Sequence, residues 1–129
     1  GSARAEEHLL TAKTLTKFLV SYCQGIRWSE GEDDCETASL EVATHMYFNN
    51  LFATRVNFWT HEPVVRLLHE IDLSHNIYVF RWGDAPLQTA ALNLFAPRSA
   101  VSRLPHLAYV HASGTNLITP DVVTQSLEE

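Results

Sequence analysis

The chain has 129 residues, with 15 Asp and Glu against 9 Lys and Arg, a formal net charge of −6. Its apolar fraction of 46% is that of a folded domain and excludes a disordered chain. The acidic balance excludes a general nucleic-acid binder, which needs a basic footprint, and no apolar run approaches the ~20 residues of a membrane span.

The first element reads as a helix. Leu15, Phe18, Leu19 and Tyr22 fall at i, i+3, i+4 and i+7 on one apolar stripe, and Gly25 closes the pattern as a C-cap. Residues 29–34 are polar and acidic and lack the alternating ligand spacing of a calcium loop, so they read as a solvated loop. A short helix is expected from Thr37 to His45, with Leu40, Val42 and Ala43 apolar. The chain then turns aromatic and β-branched, and Phe52 to Phe58 reads as an imperfect strand. Thr60 can cap the next helix, with Glu62 and Pro63 in its first turn, Val64, Leu67, Leu68 and Ile71 buried, and Arg66 and Glu70 facing water. Ser74-His75-Asn76 is a turn. Ile77 to Trp82 reads as a strand of strong β formers, ended by Gly83. Asp84 can cap a third helix, with Leu87, Ala90, Ala91 and Leu94 as its stripe and Pro97 as its stop. Leu104 to His111 reads as a last short strand. The alternation of helices and strands predicts an α/β (α+β) class in which the few strands belong to a larger sheet.

Cys23 and Cys35 show no metal-ligand spacing. They read either as two buried or free thiols or as one bridge formed in an oxidising compartment. The chain contains no Asn-x-Ser/Thr glycosylation acceptor.

Arg81-Trp82-Gly83-Asp84 sits between an expected strand and an expected helix, the place where α/β proteins bind polar ligands. Gly83 would let backbone approach a ligand closely. Asp84 could serve as base, metal partner or sugar-hydroxyl acceptor, and Arg81 could neutralise a phosphate or orient Asp84. The competing structural reading makes Asp84 a helix cap, Trp82 core and Arg81 a salt-bridge partner.

The stretch Phe80-Arg81-Trp82-Gly83-Asp84-Ala85-Pro86, with Asn57-Phe58-Trp59 before it and Tyr109-Val110-His111 after it, resembles the fungal glycolipid 2-alpha-mannosyltransferase family (glycosyltransferase family 15). The resemblance implies the C-terminal, acceptor-side part of a GT-A-like glycosyltransferase fold over residues 3–112. Gly1-Ser2 then reads as a vector scar and residues 113–129 as a tail. It implies retaining transfer of mannose from GDP-mannose to a glycan acceptor, with manganese, in the Golgi or secretory-pathway lumen. Asp84 takes the position of an active-site aspartate and His111 that of the family's metal-ligating histidine. Arg81, Trp82 and Gly83 would shape the substrate pocket, Trp82 as a sugar-facing surface. Two departures follow from the same comparison. Asn50 matches the family's pattern, but Phe52 stands where the favoured catalytic glutamate would be. The nucleotide-binding half with its acidic metal motif is not within these residues, so the expected partners are a nucleotide sugar, a glycan acceptor and an upstream half of the same domain. Nucleic acid is not expected as a partner, and a membrane only through an anchor outside this sequence. The alternative reading is a non-catalytic glycan-binding or complex-forming relative.

Overall fold

The structure is a computed structural model that describes residues 2–25, 34–104, 109–110 and 117–118. Within them the chain forms α1 (Ser2–Gly25), α2 (Cys35–Glu41), α3 (Val56–Thr60), α4 (Glu62–Ser74), α5 (Asn76–Val79) and α6 (Asp84–Phe95), then a 3-10 turn (Arg98–Ala100) and two short strands, β1 (Tyr109–Val110) and β2 (Leu117–Ile118). The strands pair antiparallel, Tyr109 opposite Ile118 and Val110 opposite Leu117. The described residues are therefore mostly helical, and the interleaved α/β sheet expected from the sequence is not what they form.

The apolar stripe of α1 buries as its spacing requires. Leu15 and Leu19 are fully enclosed, and Phe18 and Tyr22 pack at their side. The same cluster takes in Leu67 and Ile71 of α4 and Ala90 and Leu94 of α6, and Val64 and Ala91 on those helices are also fully buried. Each fully buried Leu or Ile contributes roughly 1.5–3 kcal/mol through removal from water. α2 packs against both α1 and α6, while α4 packs on α6 and carries α3 and α5.

α2 begins earlier and ends earlier than its apolar residues suggest. Asp34, the last residue of the acidic run, is its N-cap: the carboxylate accepts the Thr37 backbone N–H at 2.9 Å and the Thr37 hydroxyl at 2.8 Å. Leu40 consequently points outward at 52% exposure, while Ala38, Ser39 and Val42 turn inward. The buried Ser39 hydroxyl is satisfied by the Cys35 carbonyl at 2.7 Å. Of the two readings of the cysteines, the bridge is the one formed: Cys23 and Cys35 are disulfide-bonded with Cα atoms 5.7 Å apart, joining the end of α1 to the start of α2.

Both expected inner strands are corrected. Residues 52–55 have no regular structure, with Arg55 extended, and 56–60 form α3, whose Trp59 indole donates to the Thr54 hydroxyl at 2.9 Å. Ile77 to Trp82 fails as a strand because His75, left-handed at φ 58, closes α4 and turns the chain straight into the single turn of α5. Ile77 and Phe80, three residues apart, then pack on the core, while Tyr78 and Val79 are exposed at 77% and 66%. Strand propensity measures fit to a pleated, half-buried surface, and among the described residues no neighbouring strand offers one. α4 itself is N-capped by His61 rather than Thr60; Arg66 and Glu70 face water as expected, and Arg66 pairs with Glu62 one turn earlier. The last expected strand is present at Tyr109–Val110, and the rest of its span beyond Leu104 lies outside the described residues.

Candidate active site

The chain enters α6 through a tight corner. Arg81 is exposed and holds a left-handed backbone at φ 56, uncommon for a residue with a Cβ. Trp82 turns inward and is only 3% exposed. Its ring stands edge-on to Phe18 (centroids 5.3 Å apart, 64°) and lies near-parallel to Phe80 (6.3 Å, 24°). Its indole N–H donates to the Thr14 hydroxyl at 2.9 Å. Trp82 is thus a core residue, and the expectation that it faces a sugar is corrected: the αL turn at Arg81 directs its ring between α1 and Phe80.

Gly83 is the N-cap of α6, one position before the expected Asp84, which is instead the first helical residue. Asp84 is exposed, and its Oδ1 accepts the Ala85 backbone N–H at 3.0 Å. An anion in the first turn is favoured by the helix dipole. Gly83 has an ordinary φ of −79, and a Cβ built there would reach only Pro86, at 3.7 Å and 3.9 Å. Neither its backbone nor its neighbours demand glycine, and among the described residues only Pro86 borders the space beside it.

Asn50 lies exposed in the segment between α2 and α3. That segment is tied to α6 by its neighbours: the Tyr47 N–H donates to the buried Thr89 hydroxyl at 3.0 Å, and the Asn49 amide donates to Gln88 at 3.1 Å. These anchors lie four and five residues beyond Asp84, about 6–8 Å along the helix axis. Phe52, expected at the position of the family's glutamate, is 48% exposed. The structure therefore brings Arg81, Gly83 and Asp84 to one corner and docks the Asn50 segment on the same helix, while Trp82 faces away. His111 lies outside the described residues. Among the described residues, no group of three or more His, Cys, Asp or Glu side chains could hold a metal ion.

Thr11, Thr14, Gln88 and Thr89 were not legible as site-supporting residues. Each is a polar residue whose partner lies 39 to 69 positions away in sequence. The faint signal was the Thr11-x-x-Thr14 spacing, which puts both hydroxyls on one face of α1.

The sequence profile of the glycolipid 2-alpha-mannosyltransferase family matches residues 15–128. The chain belongs to this family. An O-glycoside alpha-1,2-mannosyltransferase of Schizosaccharomyces pombe is 32% identical over 65 residues, 50% of this chain and 17% of the relative. A probable mannosyltransferase of Saccharomyces cerevisiae is 30% identical over 77 residues, 60% of this chain and 17% of the relative. Glycolipid 2-alpha-mannosyltransferase 1 of Candida albicans is 29% identical over 70 residues, 54% of this chain and 16% of the relative. The matched stretch of this family member thus spans about one sixth of the length of its curated relatives. No solved structure matches it significantly. Among its described residues, no helix is long and apolar enough to cross a membrane.

Proposed function

We propose that the chain is part of a mannosyltransferase that moves mannose from GDP-mannose to a glycan acceptor with retention, and that Asp84 holds the acceptor. The observation that carries this reading is the open corner at Gly83–Asp84 in a chain of this family. An exposed carboxylate there can accept a hydrogen bond from a sugar hydroxyl, and the missing Cβ of Gly83 leaves room for the ring. Arg81, exposed on the same corner, supplies positive charge for the donor diphosphate. Asn50 would complete the pocket from the segment docked on α6.

Manganese belongs to the same reading, with His111 as its imidazole ligand; nitrogen, carboxylate and diphosphate oxygens together suit that ion. When bound, it would neutralise charge on the leaving diphosphate. Among the described residues there is no ligand cluster; the remaining protein ligands are proposed for an upstream half that would bind the nucleotide, and no step is routed through the ion. A Golgi or secretory-pathway lumen is the proposed location. The Cys23–Cys35 bridge supports it, because such bonds persist in oxidising compartments. Membrane attachment is assigned to an anchor outside this sequence.

Phe52 favours a second reading, a glycan-binding relative that no longer transfers sugar. The two separate in one experiment: mannose transfer from GDP-mannose to a mannoside acceptor by the full-length protein, beside Asp84→Asn and His111→Ala. Loss of transfer in both variants upholds the roles given to these residues. Turnover equal to the parent in both removes those roles. A parent that binds mannosides but transfers nothing selects the second reading.

A further inference from the structure

The corner that presents Asp84 is held from the far end of the sequence. The Phe80 carbonyl, just before Arg81, accepts the Thr11 hydroxyl at 3.4 Å, and the Trp82 indole, just after it, donates to the Thr14 hydroxyl at 2.9 Å. Thr11 and Thr14 stand one turn apart on α1, on one face. Thr14 gives its own proton to the Leu10 carbonyl at 2.7 Å, which turns a lone pair of its oxygen towards the indole. Both chain neighbours of the left-handed Arg81 therefore meet hydroxyls of a single helix, Trp82 through a short bond and Phe80 through a long one. A sparsely populated backbone conformation persists only when its surroundings over-determine it, and here the determinants are identifiable.

We propose that Thr11 and Thr14 are positioning residues: they clamp the Phe80–Trp82 segment, keep Arg81 left-handed, and so set where Gly83 and Asp84 emerge into solvent. Trp82 is the lever. Its ring is immobilised between Phe18 and Phe80, so the hydrogen bond to Thr14 fixes both the depth and the rotation of the indole, and the backbone follows. The consequence for transfer rests on the proposed function; the clamp itself does not.

The test uses the ¹⁵N-labelled chain, with hydrogen exchange of the Trp82 indole and amide shifts of Gly83 and Asp84 as readouts. Thr14→Val and Thr14→Ser are each compared in the native chain and in Arg81→Gly, where glycine adopts φ 56 without help. In the native chain, Thr14→Val is expected to speed indole exchange about tenfold and to move the Gly83 and Asp84 amides. Thr14→Ser restores both, because it keeps the hydroxyl. In Arg81→Gly the amides stay in place when Thr14→Val is added. Unmoved amides in the native chain overturn the proposal, and so does equal movement in the glycine background. Should Thr14→Val not fold by circular dichroism, Thr11→Val tests the clamp from the Phe80 side, and unmoved Gly83 and Asp84 amides overturn it there. In the full-length protein the clamp variants are expected to lower kcat and to raise the KM both for the acceptor, held by Asp84, and for the donor, whose diphosphate Arg81 meets. A parent without transfer activity counts against the proposed function and leaves the clamp to its spectroscopic test.

Discussion

Reducing the Cys23–Cys35 bridge isolates the contribution of one cross-link. The bridge spans 12 residues of sequence, and the chain-entropy relation for closing a loop of that size gives about 3 kcal/mol of stability. That is a large share of the 5–15 kcal/mol typical of a domain. With an unfolding entropy of about 2.1 cal/mol/K per residue, it corresponds to a fall in Tm of roughly 10 °C. The loss should not be spread evenly. α2 has seven residues, too few to stand alone, and the bridge is its covalent tie to α1. Thermal and urea unfolding are followed by circular dichroism with and without a dithiol, the thiols counted in each sample. Hydrogen exchange then compares residues 38–42 with residues 67–71 of α4. The expected outcome is a lower midpoint with a somewhat larger m-value, because the reduced denatured chain is less compact, and with protection lost first in α2. Coincident midpoints with both thiols shown to be free would refute the reasoning, because the cross-link would then constrain nothing that the core does not already hold.

Three further outcomes follow from the packing and the charges. Leu67→Ala removes a fully enclosed side chain and should cost 2–5 kcal/mol, roughly, in urea unfolding; a loss under about 0.5 kcal/mol would mean that Leu67 is not core. The Thr37 backbone N–H, and then its hydroxyl, hold the Asp34 carboxyl below the usual aspartate range. The stability this gives is present above the ordinary aspartate pKa near 3.9, roughly, and is lost as pH falls through the depressed value, so Asp34→Asn should flatten the acid limb of the stability profile; an unchanged limb counts against the cap. Burial pushes the Tyr22 phenol up, and Glu70 adds to the rise while Arg66 opposes it. Ultraviolet titration should find one tyrosine ionising above the usual value near 10, roughly, with stability falling as pH rises through that point, and Tyr22→Phe should remove that step.

What could be read beforehand divides along a physical line. The stripes of α1, α4 and α6 were legible because a period of 3.6 with full burial leaves a strong mark: Leu15, Leu19, Val64, Leu67, Ile71, Ala90, Ala91 and Leu94 all lie where their spacing put them. Residues 77–82 were not legible, because Ile, Tyr, Val and Phe favour strands only where a sheet receives them, and the deciding event was a left-handed His75 just upstream. Cap positions slipped by one at Thr60–His61 and at Gly83–Asp84, where no side chain caps the helix and its end is set only to within a residue or two. At the candidate site, Arg81, Gly83 and Asp84 could be named from their local motif. The inward turn of Trp82 could not, because it depends on Thr14, Phe18 and Phe80, and two of these lie more than sixty residues away on α1.

The two features that pull the functional reading in opposite directions, the open Asp84 corner and the phenylalanine at position 52, need not conflict chemically. A retaining transfer that forms a glycosyl-enzyme intermediate requires a protein nucleophile beside the anomeric carbon, and an exposed Phe52 cannot supply one. A front-face transfer requires no such group. The departing diphosphate itself draws the proton from the acceptor hydroxyl, and the protein must hold the acceptor on the same face as the leaving group. Orientation then becomes the dominant demand, and a well-placed contact can account for several kcal/mol of barrier, roughly. An exposed carboxylate at the mouth of α6, on a corner whose backbone is fixed from α1, suits that demand better than it suits covalent catalysis. Phe52 therefore counts against one mechanism of retention and leaves transfer itself open, so the proposed mannosyltransferase reading rests on whether Asp84 holds an acceptor rather than on whether position 52 carries a carboxylate.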